Sequence, residues 1–186
     1  MAAGNARRFG ENKLAARFRG KSLIRWTLEA VPEDIFDAVA VVTQYPEITE
    51  LAREFSFIAI RNEHPDFGIS HTIKLGLTAL RDYDGVLFLV SDQPLLRQES
   101  VIELAELWKQ QPDKIVALGH DGVRGNPCLF PARFFPELLE LREDRGGNAV
   151  IRRHEEDLML LEVPAEELYD VDTVQALEKL EREVPE

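Results

Sequence analysis

The sequence predicts a layered α/β domain built on a mostly parallel sheet. Short apolar runs of strand length recur along the chain, and most are apolar on both faces, as in a sheet covered by helices on both sides. Segments with helical periodicity lie between these runs, and such alternation builds layered α/β folds. At 186 residues, 45% of them apolar and 30% charged, the chain suits one globular domain spanning 1–186, with no repeat or low-complexity linker dividing it.

The expected strands are AVAVV (38–42), FIAI (57–60), VLFLV (86–90), IVAL (115–118) and LMLLEV (158–163). Most are rich in β-branched or aromatic residues. Among the helices, ESVIELAELW sets Val101, Leu104, Ala105 and Trp108 on one face by their i, i+3, i+4, i+7 spacing. Residues 22–30, 70–80 and 173–183 also read as helices, and PARFFPELLEL and GGNAVIRRH as shorter ones. Trp26 and Trp108 fall on apolar helix faces and are expected in the core.

Composition excludes several classes. No apolar run approaches the ~20 residues that span a membrane, and no secretory signal heads the chain. Cys128 is the single cysteine, so an intramolecular disulfide or a cysteine zinc cluster is excluded and a reducing cytoplasm is expected. The four histidines share no ligand spacing, which argues against a histidine metal site. A net charge of −12 argues against nucleic-acid binding, which needs a basic surface. The cations are uneven, however: seven of the 22 Lys and Arg residues precede Val31, against two Glu, so positive charge gathers near the opening. A few local cations suffice for a small phosphorylated ligand.

Four stretches could carry chemistry. In MAAGNARRFGENKL, Gly4 lets backbone N–H groups approach an anion, while Arg7, Arg8 and Lys13 add charge. By spacing alone a basic N-terminal arm with a chance glycine fits equally well. In VLFLVSDQPLL a buried strand ends at Asp92, where ligands of open parallel sheets bind and where a carboxylate can hold Mg²⁺; a turn or helix-cap aspartate is the bland alternative. In YDVDTVQAL, Asp172 either caps the following helix or serves as a second metal ligand, and Asp170 reads as a turn residue. GNPCLFP and EDRGGNAVIRRH carry the turns Gly125-Asn126-Pro127 and Gly146-Gly147, which either bind an anion or are only turns. A loop-to-helix entry in NEHPDFGISHTI sets Ser70 at a capping position, with Gly68 free to lie near a ligand.

In this order the pieces resemble the MobA-like nucleotidyltransferases, in particular those that make cytosine dinucleotides of the molybdenum cofactor. MAAGNARRFGENKL is similar to the family opening, GISHTIKLGL to its glycine–serine motif, and DGVLFLVSDQPLL, GNPCLFP and YDVDT to its later motifs. The resemblance runs from Met1 to about Leu177. It implies a three-layer Rossmann-like nucleotidyltransferase fold with a mostly parallel central sheet. It also implies CMP transfer from CTP to the phosphate of molybdopterin with Mg²⁺ and release of pyrophosphate, the dinucleotide serving an apo molybdenum hydroxylase. Asp92 and Asp172 would hold the metal, and Lys13 and Arg8 would act on the phosphates. Ala2, Ala3, Gly4, Gly68 and Ser70 would line the nucleotide, and Gly125, Asn126, Pro127, Gly146 and Gly147 the pterin.

The departures are specific. Ala6 replaces a small hydroxyl residue, Val174-Gln175-Ala176 replaces Pro-Glu-Asp, and His71 replaces a small polar residue. Relatives also carry an apolar stretch before the opening loop that forms the central strand. This chain begins inside the motif, so the first strand is expected to be missing and the natural start to lie upstream. Two alternatives accompany this reading: a nucleotidyltransferase using GTP or another phosphorylated acceptor, and a non-catalytic molybdenum cofactor chaperone.

Overall fold

The computed structural model of the chain describes residues 1–2 and 13–183. Ala3, Gly4, Arg7 and Arg8 of the expected phosphate loop lie outside the described residues.

A short hairpin opens the domain: β1 (Arg17–Phe18) and β2 (Lys21–Ser22) are antiparallel and turn through Arg19 and Gly20, both at positive φ. Helix α1 (Leu23–Glu29) follows, and Ser22 caps it by accepting a hydrogen bond from the Arg25 N–H. Next come β3 (Ala40–Thr43), α2 (Pro46–Glu54), β4 (Ile58–Arg61), α3 (Ile69–Ala79), β5 (Gly85–Phe88) and α4 (Gln98–Gln110). The chain closes with β6 (Ile115–His120), β7 (Val123–Pro131), α5 (Phe135–Leu139), α6 (Asn148–Ile151), β8 (Leu158–Glu162) and α7 (Val174–Glu183).

The expected layers are present. One face of the sheet puts Ile115, Ala117, Cys128 and Phe130 against Ile73 and Leu77 of α3 and Leu138 of α5. The alternate residues Val116, Leu118 and Leu129 face Val101 and Leu104 of α4. Because successive strand residues point to opposite faces, strands covered on both sides are apolar throughout, which is the pattern that identified them. A third cluster packs Ile24 and Leu28 of α1 and Ile48 and Ala52 of α2 over Val41 of β3.

Two elements differ from expectation. Helix α2 has no counterpart among the expected helices, although Pro46 at its first turn and the Ile48–Ala52 spacing signal one. Strand β7 is nine residues long and antiparallel to both β5 and β6, so the sheet is mixed. β6 and β8 pair in parallel, as do β3 and β4. Glu167, only 1% exposed, accepts a hydrogen bond from the Arg97 N–H at the start of α4, and so supplies that helix with its missing cap.

Among the described residues the strands outside the β1–β2 hairpin form two separate sheets, β3–β4 and β5–β7–β6–β8. Met1 and Ala2 lie between them. The Ala2 N–H donates to the Val42 carbonyl at 3.0 Å and bridges Thr43 in parallel, while the Met1 ammonium donates to the Leu89 carbonyl at 2.6 Å. Consecutive residues thus bond to opposite sides, as in a strand between two neighbours. On the amino side of Met1 an apolar cavity of about 460 Å³ separates β3 from β5, lined among others by Ile24, Leu28, Val42, Gly76, Leu87 and Trp108.

Burial pushes the Met1 ammonium down from its usual 8.0 to about 6, with the Asp92 charge opposing the shift. A cationic group with a lowered folded-state pKa is bound by a proton in the unfolded chain first, so stability falls as pH drops from 8 to 6 and is constant outside that window. For the 186-residue chain, urea unfolding is expected to show about 2–3 kcal/mol more stability at pH 8 than at pH 6 from this group. N-terminal acetylation removes the charge and should flatten that slope; an unchanged slope after acetylation contradicts the assignment.

Candidate active site

The site is assembled where the apolar strand β5 runs out. Past Phe88 the chain reaches Ser91, which is buried and donates its hydroxyl to the Met1 carbonyl at 2.8 Å. The next residue, Asp92, accepts a backbone hydrogen bond from the Val171 N–H at 2.9 Å. The Gln93 side chain adds a second tie to the Leu168 carbonyl at 3.4 Å. These bonds hold the segment preceding α7 beside the end of β5. From the other side, a single 3₁₀ turn over Lys13–Ala15, anchored by buried Leu14, delivers Lys13.

The Lys13 ammonium lies between two carboxylates, 2.7 Å from Asp92 Oδ2 and 2.8 Å from Asp172 Oδ1. Burial disfavours its charge, but hydrogen bonds to Asp172 and Asp92 outweigh that, and the Lys13 pKa is raised. Asp170 is the third acid: burial and the nearby Asp92 charge push its pKa up. Three carboxylates therefore share one cation. Asp92 Oδ1 is buried and has no hydrogen-bond partner among the described residues. An unsatisfied buried carboxylate oxygen is costly, and beside two further acids it has the character of a ligand position for a hard divalent cation. The donor set of Asp92 and Asp172 fits such an ion.

The tertiary structure removes one alternative for Asp172. Thr173 caps α7, its hydroxyl accepting from the Ala176 N–H at 3.1 Å, so Asp172 is free to meet Lys13. Asp170, expected to be a turn residue, joins the acid group instead; the ligand-poor spacing of YDVD hides this, because the bond between Val171 and Asp92 is tertiary.

The other expected residues occupy a separate rim. Gly68 sits at φ 81, and a Cβ there would lie 2.5 Å from the Glu143 carbonyl, so close packing requires glycine. Ser70 is buried inside the first turn of α3, and Gly68, not Ser70, precedes that helix. The Ser70 N–H donates to Glu143, which brings this entry against the loop that contains Gly146 and Gly147. Gly147 packs on the Phe130 ring, where a Cβ would approach to 2.8 Å. Gly125, Asn126 and Pro127, expected to form a turn, are strand residues of β7 because that strand pairs within the sheet, and Arg124 beside them donates to Asn148 Oδ1 at 2.8 Å, so the two stretches expected to face one substrate are neighbours. Cys128 is buried and its thiol pKa is raised by burial, as befits an inert packing residue. His154, Glu156 and Asp157 approach one another, but His154 pairs with Glu137 and Asp157 with Arg133 and Lys114, so this group is an ion-pair network.

Residues 1–158 match the family described as the MobA-like NTP transferase domain. The chain belongs to this family. Among similar proteins is the purine catabolism protein PucB of Bacillus subtilis, 26% identical over 98% of this chain and 94% of that one. A probable molybdenum cofactor guanylyltransferase of Bacillus licheniformis is 28% identical over 69% of this chain and 64% of its own length. A nucleotidyl transferase from Methanothermobacter thermautotroptrophicus superposes with a TM-score of 0.80 at 20% identity, covering 97% of this chain and 93% of that one, and shares the fold. The protein is thus a nucleotidyltransferase of the MobA-like NTP transferase family, with an α/β nucleotidyltransferase fold. No helix among the described residues is long and apolar enough to cross a membrane.

Within this MobA-like domain, the division of labour between Asp172 and Thr173 is open to test. Thr173→Ala should cost about 1 kcal/mol of stability through loss of the cap. Asp172→Ala should cost no more than a few tenths, because its carboxylate is 62% exposed and the cap is supplied by Thr173. Chemical denaturation of both variants decides it; a larger loss for Asp172→Ala would reassign the cap.

Proposed function

We propose that this nucleotidyltransferase transfers CMP from CTP to the terminal phosphate of molybdopterin, giving molybdopterin cytosine dinucleotide and pyrophosphate. The observation that carries this is the Lys13 ammonium bridging Asp92 and Asp172 at the end of β5. A nucleophilic phosphate must approach an anionic triphosphate, so the main task is positioning and charge neutralisation, not proton removal. A molybdopterin phosphate oxygen bonds to the α-phosphorus of the nucleotide, and the bond from that phosphorus to the α–β bridging oxygen breaks. The electron pair leaves with pyrophosphate.

Asp92 and Asp172 would hold a divalent cation, Mg²⁺, whose role when bound is to neutralise triphosphate charge. Lys13 binds and orients the α-phosphoryl oxygens, its ammonium being the cation already fixed beside both acids. Arg8 and the backbone of Ala3 and Gly4 would seat the pyrophosphate portion. Gly68 and Ser70 border the nucleotide. Gly125, Asn126 and Pro127 of β7 and the turn Gly146-Gly147 border the pterin, an assignment supported by their adjacency through Arg124 and Asn148. The reaction fits a cytoplasmic setting, with an apo molybdenum hydroxylase receiving the product.

GTP is the second reading, favoured by the Bacillus licheniformis relative, which is named a guanylyltransferase. Incubation with CTP or GTP, Mg²⁺ and molybdopterin, followed by analysis of the dinucleotide, separates the two; cytosine dinucleotide with pyrophosphate is expected. Formation of the guanine product alone would replace CTP by GTP, and no dinucleotide from either would overturn the acceptor assignment.

Two variants probe the acid site. Asp92→Ala should lower pyrophosphate release by on the order of 100-fold or more, since one ligand of a phosphate-bound cation contributes several kcal/mol. Lys13→Met should lower turnover yet tighten Mn²⁺ binding by about tenfold, measured by electron paramagnetic resonance, because a like charge leaves the carboxylates. Weaker Mn²⁺ binding in Lys13→Met would show that the ammonium and the metal do not compete for these oxygens.

A further inference from the structure

We infer that Arg124 is the ligand for the acceptor's phosphate: its guanidinium, held by Asn148 and lying beside Asn126, grips the phosphate that attacks the nucleotide. This rests on the reading of a phosphorylated acceptor given above, and adds to it a residue that the motifs do not single out.

Topology places Arg124 at the edge where the acids lie. β5 and β6 are both antiparallel to β7, so they run in one direction and end at one edge of the sheet. β8 is parallel to β6 and ends there too. Asp92 follows β5, Asp170 and Asp172 follow β8, and the turn from β6 into β7 delivers Arg124. The next residue leans towards the acids: a Cβ on Gly125 would lie 3.0 Å from the Leu168 side chain, and the Leu168 carbonyl accepts from Gln93, the neighbour of Asp92. The β6–β7 register also shifts here, between Ala117 and Gly119, and such bulges re-aim side chains beside binding sites.

Charge identifies the ligand. Among the described residues two arginines are half-buried, Arg25 and Arg124. Arg25 is neutralised by Glu54 and Glu29. Arg124 pairs with no carboxylate among the described residues. Its Nη2 donates to Asn148 Oδ1 at 2.8 Å, and Nη1 makes only long contacts, 3.4 Å each, to the Gly125 carbonyl and the Cys128 sulfur. Its Nε donates to none of them. A guanidinium keeps its charge at every accessible pH, and withdrawing it partly from water without an anion is costly. A tie between β7 and α6 needs a donor but no charge, so the charge points to a ligand. Asn126 adds neutral donors: its oxygen meets the Cys128 thiol at 3.8 Å, while its NH₂ has no acceptor among the described residues. A phosphate monoester matches this set. Two of its oxygens accept from the guanidinium fork, and the third stays free to attack.

The probe is inorganic phosphate, titrated into the isotope-labelled full chain against sodium chloride at matched ionic strength. Side-chain nuclear magnetic resonance signals of Arg124 Nε–H and of the Asn126 amide report on the seat. Phosphate is expected to shift both saturably and chloride to shift neither. Arg124→Gln should weaken phosphate binding, read at Asn126, about tenfold or more, since it removes a charge-assisted fork. Asn148→Ala keeps the charge and should weaken it less than about threefold. Equal shifts with chloride, shifts confined to the surroundings of Lys13, or unchanged binding in Arg124→Gln would each overturn the proposal. So would an Asn148→Ala variant as weak as Arg124→Gln, because the arginine would then be a structural tie. In turnover, Arg124→Gln should raise KM for the acceptor about tenfold and leave KM for the nucleotide within about twofold; the opposite split assigns Arg124 to the triphosphate and overturns the inference. The phosphate titration needs no nucleotidyl transfer, so a failed dinucleotide assay leaves its result standing, and the reverse.

Discussion

The site depends on one interaction, the Lys13 ammonium held between Asp92 and Asp172. It ties together three places far apart in sequence: the opening segment, the end of β5, and the loop before α7. Without a cation there, three carboxylates would crowd a partly buried pocket, and the cost of like charges in low dielectric would drive the loop and the strand end apart. The Asp170 pKa is raised by burial first and by the nearby Asp92 charge second. A tethered ammonium settles the charge without a ligand, while the unpartnered Asp92 Oδ1 leaves one position directed at something the chain does not supply.

This arrangement also reconciles an acidic protein with an anionic substrate class. Exposed charges beyond about 10 Å are largely screened, so the net charge of −12 acts weakly at any one point. Among the described residues Lys13 is the cation held beside Asp92 and Asp172, whereas Lys21 and Arg25 pair with Glu29 and Glu54. The surrounding fold is organised to hold that set still: Val171 bonded to Asp92, Gln93 to Leu168, and Glu167 capping α4 all fasten the loop before α7 to the end of β5. Glycines at 68 and 147 serve a different end, letting backbone and ring approach closely on the neighbouring rim.

The same strand end governs the architecture. Met1 and Ala2 bond to both half-sheets, and Ser91 secures the Met1 carbonyl beside Asp92. The middle of the sheet and the acid site are therefore mechanically continuous. Ser91 and Asp92 are adjacent, so the packing of Met1 and Ala2 meets the acid site directly.

Periodicity and composition by themselves determined the layered α/β class and most strands, because strands buried on both faces must be apolar along their whole length. The position of Asp92 was legible too, as an acid that ends such a strand. Other features were decided only by tertiary structure. The direction of β7 depends on which neighbours it pairs with, and a helix as polar as α2 becomes a helix of this domain by burying Ile48 and Ala52 against β3. Whether Asp172 caps or binds turned on Thr173 taking the cap, and Asp170 entered the site through a backbone bond to a residue 79 positions before Val171. Local sequence encodes burial and turns; the meeting of distant charges depends on where the packed elements carry them.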